Sequence, residues 1–170
     1  SITIPDSVTS IGSKVFYNCT NLTYIIIPDS VASIGDSAFS NCKSLTSINI
    51  SRKVSSIGDY TFSNCTNLTF ITIPNSVTYI GLCAFYSCIG LTSITIPDSV
   101  TSISNLAFLN CTCLTQVNIG NVLNSIDWYE FCENTGIAHI NISTSVTFIN
   151  NHTFCNCINL TSITIPDSVT

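Results

Sequence analysis

Phenylalanine falls at Phe16, Phe39, Phe62, Phe85, Phe108, Phe131 and Phe154, every 23 residues and without an insertion. A strict period along a whole chain constrains folding more than any composition does. Each unit is one coil, and it can bury its apolar side only against the coils before and after it. The counterpart of any residue in the next coil is found by adding 23. The 170 residues hold seven periods and nine residues more. Coils spaced like neighbouring strands, about 4.8 Å apart, stack to roughly 35 Å.

One unit, Leu22 to Phe39, shows the pattern. Leu22, Ile25 and Ile27 read L-x-x-I-x-I, whose last two positions point inward as a short strand requires, leaving Tyr24 and Ile26 outward. Pro28 ends the strand because it has no N–H for the neighbouring ladder. Asp29 and Ser30 bring turn chemistry, and Val31 and Ile34 turn a second side inward. Gly35 suits a tight corner, which predicts a positive φ there. Ile34, Ala38, Phe39 and Cys42 then sit at i, i+4, i+5 and i+8, the spacing of a short helix with one apolar face. The residue before each leucine (Asn21, Ser44, Asn67, Gly90, Cys113, Gly136, Asn159) reads as a left-handed position, with Cys113 the odd member. Stacking places like residues in columns: the phenylalanines; Leu22 to Leu160 with Ile137; Ile11 to Ile149; and Ile25 to Ile163 with Val117.

The unit L-x-x-I-x-I-P-x-S-V-x-x-I-G-x-x-A-F-x-x-C resembles the leucine-rich repeat of BspA-like surface proteins, over the whole chain and in seven in-phase copies. The resemblance implies an α/β solenoid: a leucine-rich repeat array with a concave parallel β-sheet and short helical or 3-10 segments on the convex side, residues 1–170 forming one domain. It also implies a cell-surface adhesin that binds host or matrix proteins. No catalytic residue carries over, because the family motif contains none. The chain starts and stops inside repeats, and we read it as a window on a longer array.

Only 8% of residues are charged, yet no apolar run approaches the ~20 residues of a spanning helix. Lys14, Lys43, Arg52 and Lys53 are the whole basic complement, and after Lys53 the charges are six carboxylates. An acidic body repels nucleic acid and anionic membranes, so neither nucleic-acid binding nor membrane insertion is expected. Six of the ten cysteines (Cys19, Cys42, Cys65, Cys88, Cys111, Cys157) share one inward position, and Asn134 takes the remaining place in that column, in the sixth unit. A column of buried thiols acts as small hydrophobes and needs no bonds. Cys132 and Cys155 share another site, after the Phe in adjacent coils, and form the best candidate disulfide. The C-x-C pairs Cys111/Cys113 and Cys155/Cys157 lack a second pair at zinc-site spacing, so no metal or cofactor is called for. Nine N-x-S/T sequons (Asn18, Asn21, Asn49, Asn64, Asn67, Asn110, Asn141, Asn151, Asn159) follow mostly from the repeat itself.

Convergent titratable groups are scarce: His139 belongs to the strand face and His152 to the opposite side, and no nucleophile or phosphate motif is present, which argues against an enzyme. The strand face, free of core duties, is the natural binding surface. Its outward residues are small and polar except Tyr24, Ile26 and Phe70, with Arg52 and Lys53 at the adjoining turn. These five are the candidate concave partner site, since aromatic anchors are enriched at interfaces. In the sixth unit Gly120 to Leu123 replaces the usual turn, and Asp127, Trp128, Tyr129, Glu130 and Glu133 cluster as a candidate convex contact for a basic partner. The unpaired strand near Leu160–Ile165 leaves an edge through which end-to-end self-association is expected. Unpaired thiols and an acidic surface also suit an intracellular module that docks or regulates a protein partner such as an enzyme, and a passive spacer is a third class.

Overall fold

The computed structural model describes residues 2–121, 123, 125–126, 131 and 133–170, the side chains of Ser125 and Ile126 excepted. It is a stack of coils in which every described strand pairing is parallel and offset by 23 residues, as the period requires. The L-x-x-I-x-I segments form two four-stranded sheets on one side. The first holds Ile2–Thr3, Tyr24–Ile26, Ser47–Asn49 and Phe70–Ile71; the second holds Ser93–Ile96, Gln116–Ile119, His139–Asn141 and Ser162–Thr164. The second leg of each coil also pairs, in two-residue strands: Ser10–Ile11 with Ser33–Ile34; Ser56–Ile57 with Tyr79–Ile80 and Ser102–Ile103; and Ser125–Ile126 with Phe148–Ile149.

Between these faces runs one continuous apolar core. Ile25, Leu45, Phe62, Cys88 and Val117 are fully buried, and their counterparts in the central coils are buried with them. Phe16 and Phe154, at the two ends of the ring column, are only partly covered. Successive rings lie 5.1–5.9 Å apart between centroids and within 19° of parallel. That is an offset stack, enforced by the coil spacing and favourable beyond area burial.

The expected helical or 3-10 segments are not formed: among the described residues the convex side is a run of turns. The reason is visible in the backbone. Ser37 and Asn41 both adopt φ near +60°, as do Lys14 and Asn18, Tyr60 and Asn64, and Leu106 and Asn110. A left-handed residue every fourth position breaks a right-handed helix each turn. The N–H groups of Ser37, Phe39 and Asn41 instead reach the carbonyls of Asp59, Thr61 and Ser63 in the next coil, at 2.8–3.0 Å. The N–H groups of Ala38, Ser40 and Cys42 close four-residue turns onto the carbonyls of Gly35, Ser37 and Phe39. A helix would satisfy only its own backbone; this arrangement gives the coils a third inter-coil ladder.

Two further expectations change with it. The left-handed positions are not those before each leucine: Asn21, Gly90 and Gly136 are not among the positive-φ residues, and the Asn18–Asn156 column and the Lys14–His152 column carry that conformation. No described glycine has a positive φ. Gly35 is needed for close approach instead, since a Cβ there would stand 2.4 Å from the Ser13 nitrogen of the preceding coil.

Candidate functional site

The parallel ladder aligns the outward residues of the strand face in rows. Tyr24 pairs with Ser47, and Ser47 with Phe70; Ile26 pairs with Asn49. Alternation leaves Tyr24, Ile26 and Phe70 standing outward while Ile25, Ile48 and Ile71 are buried. Tyr24 is 41% exposed, Ile26 51% and Phe70 58%. The structure therefore places these three expected residues on one face, Tyr24 and Phe70 separated by Ser47.

Arg52 and Lys53 lie at the turn that follows, both exposed. Arg52 is not a free cation: its Nη2 and Nε donate to Asp29 Oδ2 at 2.7 and 3.1 Å, and its backbone N–H donates to Asp29 Oδ1 at 3.1 Å. The guanidinium and backbone hydrogen bonds hold the Asp29 carboxyl below its ordinary range. The period could have announced this pair, because Arg52 is Asp29 plus 23. The same device recurs where Asp98 Oδ1 accepts the N–H of Asn121 at 2.7 Å, and where Asp59 Oδ1 accepts that of Leu82 at 2.8 Å. These turn carboxylates cap the next coil.

Asp127, Trp128, Tyr129 and Glu130 of the candidate convex contact lie outside the described residues. Glu133 is exposed, but it is built into the ladder: its N–H reaches the Cys155 carbonyl and its Oε1 accepts from Asn156 Nδ2 at 2.8 Å. Cys155 is disulfide-bonded; Cys132, its expected mate, is outside the described residues. The other eight cysteines are free, most of them buried.

The free column is more organised than its hydrophobic reading implied. Every column thiol but Cys19 donates to the carbonyl of the phenylalanine one coil back: Cys42 to Phe16, Cys65 to Phe39, Cys88 to Phe62, Cys111 to Phe85 and Cys157 to Phe131, at 3.1–3.2 Å. Asn134 keeps that bond, Nδ2 to the Phe108 carbonyl at 2.9 Å, and its Oδ1 also accepts the Cys111 N–H at 2.6 Å. Burial pushes the Cys42 thiol up to about 11 and that of Cys111 up to about 12. These thiols remain protonated and are poor nucleophiles.

The strand face divides into two chemical regions. Toward the C-terminal end its polar groups pair with one another: His139 Nδ1 lies 2.6 Å from Ser162 Oγ, and Asn141 Nδ2 donates to Asn118 Oδ1 at 3.2 Å. Around Phe70 they do not. There the two sheets part, between Phe70–Ile71 and Ser93–Ile96. The neighbouring bond from Thr92 N to Thr69 O lengthens to 3.3 Å, against 2.9 Å for Thr115 N to Thr92 O. A groove of about 340 Å³ opens at the parting, lined by Phe70, Thr72, Asn75, Ser93, Thr95 and Pro97 beside Ile71 and Ile73. A second groove of about 310 Å³ flanks Tyr24 and Ile26. The grooves and the parting were not legible in a sequence whose period runs through them unbroken.

A family model for the BspA-type leucine-rich repeat region, in six copies, matches residues 1–87 and 56–170. The chain belongs to the BspA-type leucine-rich repeat family. No curated protein matches it. Among solved structures, this BspA-type array is similar to a leucine-rich repeat protein from Bacteroides ovatus, with 35% identity and a TM-score of 0.91, over 95% of this chain and 42% of that one. The chain thus spans well under half of that protein's length. It is also similar to the Treponema pallidum leucine-rich repeat protein, with 25% identity and a TM-score of 0.88, over 94% of this chain and 77% of that one. A Eubacterium ventriosum leucine-rich repeat protein, 24% identical with a TM-score of 0.66 over 98% of this chain and 54% of that one, shares the fold.

Proposed function

We propose that this BspA-type array is a non-catalytic scaffold that binds a protein ligand through its strand face, and that it does so at a cell surface, as an adhesin-type protein. The observation that carries the reading is the placement of Tyr24, Ile26 and Phe70, exposed and in register on a rigid face whose other outward residues are small or polar. Large apolar side chains cost solvation when left in water, and in interfaces they supply most of the binding energy. Lys53 stands at the rim, while Arg52 is held by Asp29 and contributes its outer edge only. The surface location is supported by the family resemblance and by the disulfide at Cys155, because such bonds persist in oxidising compartments. The reduced thiols do not argue the other way, since a column site buried beside phenylalanine carbonyls explains them in any compartment.

The test is a panel of matrix proteins presented to the wild type and to Tyr24→Ala with Phe70→Ala. A ligand of this face is expected to lose about tenfold or more in affinity for each anchor removed, with the melting transition intact. Unchanged binding in the double variant would remove the strand face from consideration. Alkylation in denaturant before reduction addresses location: eight labelled thiols are expected, with Cys132 and Cys155 unlabelled. Ten labels would favour the intracellular alternative.

A further inference from the structure

We infer that the groove at the parting of the two sheets, from Phe70 to Thr95, is a binding site for a neutral saccharide. This rests on the strand face being a binding surface and names the chemistry it recognises. Three observations carry it.

The first is the absence of charge. None of Phe70, Ile71, Thr72, Ile73, Asn75, Ser93, Thr95 and Pro97 is ionisable. The cavity that continues past Pro97, of about 600 Å³, holds one carboxylate, Asp98, and that is already capping Asn121. A sialylated, sulfated or phosphorylated ligand would find no counter-charge here, and a charged group brought into a groove without a partner is penalised. The second is unspent hydrogen-bonding capacity. Among the described residues no side-chain hydrogen bond within the protein engages Thr72, Asn75, Ser93 or Thr95, whereas the amides and imidazole further along the face are paired with their neighbours. Hydroxyls and an amide that both donate and accept match the hydroxyls of a sugar, which do the same. The third is the ring. Phe70 is more than half exposed beside these groups, and the C–H face of a pyranose is apolar and flat enough to lie on it.

The groove also lies within the range of small-molecule sites, which begins at about 300 Å³. Tyr24 repeats the motif two coils away, about 9.6 Å by strand spacing, with its own flanking groove. Two rings separated by a serine would seat alternate sugars of an extended chain laid across the strands. A protein ligand of the strand face would then be recognised in part through a neutral glycan that it carries.

The experiment uses the full chain and immobilised oligosaccharides, neutral (glucose-, N-acetylglucosamine-, mannose- and galactose-based) beside sialylated and sulfated ones. Retention of at least one neutral series is expected, with little dependence on salt, falling about tenfold in Phe70→Ala and again in Thr95→Val, while Lys14→Ala has no effect. The same variants are run on matrix glycoproteins before and after enzymatic removal of their glycans. If no neutral saccharide is retained, or if Phe70→Ala leaves retention unchanged, the saccharide site is overturned. If deglycosylated proteins bind the wild type undiminished and lose binding in the Tyr24/Phe70 double variant, the saccharide site is overturned and the protein-binding face stands. Selective retention of charged glycans would also overturn it.

Discussion

At the scale of single residues, the repeat tolerates exceptions where another group takes over the same bond. Asn134 stands in a column of thiols and does more than they do, serving the Phe108 carbonyl and the Cys111 N–H together while fully buried. Asn134→Leu leaves both backbone groups without a partner in the core, at about 1–3 kcal/mol each. The expected loss is about 2–5 kcal/mol in chemical denaturation, against a smaller loss for Asn134→Cys, which retains one bond; equal losses would show that the amide's second bond is unimportant. Ser51 offers a second case. Lys53 occupies the turn position where Ser76 donates to the Val54 carbonyl, and Ser51 supplies the equivalent bond to Val31 at 2.6 Å. Arg52 and Asp29 pair on the surface, where the energy is small but the titration is readable. In Arg52→Ala the Asp29 carboxyl should titrate higher, toward its ordinary range, by NMR. An unmoved Asp29 would mean that the side-chain bridge does not form in solution.

At the scale of the structural element, the cysteine column behaves as one unit. Burial raises Cys42 to about 11 and Cys111 to about 12 from an ordinary value near 9, and it raises Cys65 and Cys88 as well. Below pH 9 both folded and unfolded chains hold these protons, and the column contributes its full stability. Above it the unfolded chain releases protons that the folded chain keeps, so the unfolded state is favoured increasingly as pH rises through about 11 to 12. The denaturation midpoint is expected to fall over that interval, and to fall less in a variant with Cys65, Cys88 and Cys111 replaced by Ala. Parallel profiles would show that the alkaline loss has another source, such as tyrosine ionisation. The turn run on the same side belongs to this scale too. Its two left-handed residues per coil divert alternate N–H groups outward along the stack, and the thiols then bond the phenylalanine carbonyls.

At the scale of the whole molecule, each coil is covered only by its neighbours, and stability propagates along one dimension. Phe85 is fully buried, with ring contacts to Phe62 at 5.4 Å and Phe108 at 5.1 Å. Phe85→Ala is expected to cost about 3–5 kcal/mol. Amide exchange should quicken most in the coils of Phe62, Phe85 and Phe108 and least near the ends of the stack. A uniform increase along the chain would indicate a single cooperative unit in place of neighbour-by-neighbour coupling. The acidic balance also acts at this scale, as a field that disfavours anionic partners. The strand face around Phe70 carries none of that charge, which sets it apart from the body that supports it.

A 23-residue period determined by itself the stack, the parallel register, the buried columns and the outward rows that hold Tyr24, Ile26 and Phe70. Those follow because an in-phase repeat has only its neighbours to bury against, and alternation along a strand assigns each side chain a face. Tertiary structure decided what depends on backbone groups meeting across coils. The spacing of Ile34, Ala38, Phe39 and Cys42 is helical in pattern, yet the next coil's carbonyls offered those N–H groups better partners than a helix would. Gly35 looked like a conformational corner and is a point of close approach. Arg52, expected only as part of the candidate partner site, is paired with Asp29 of the preceding coil. The parting beside Phe70 left no mark on the period, because a fraction of an ångström in ladder length, from 2.9 to 3.3 Å, accompanies it without changing any residue's place in the repeat.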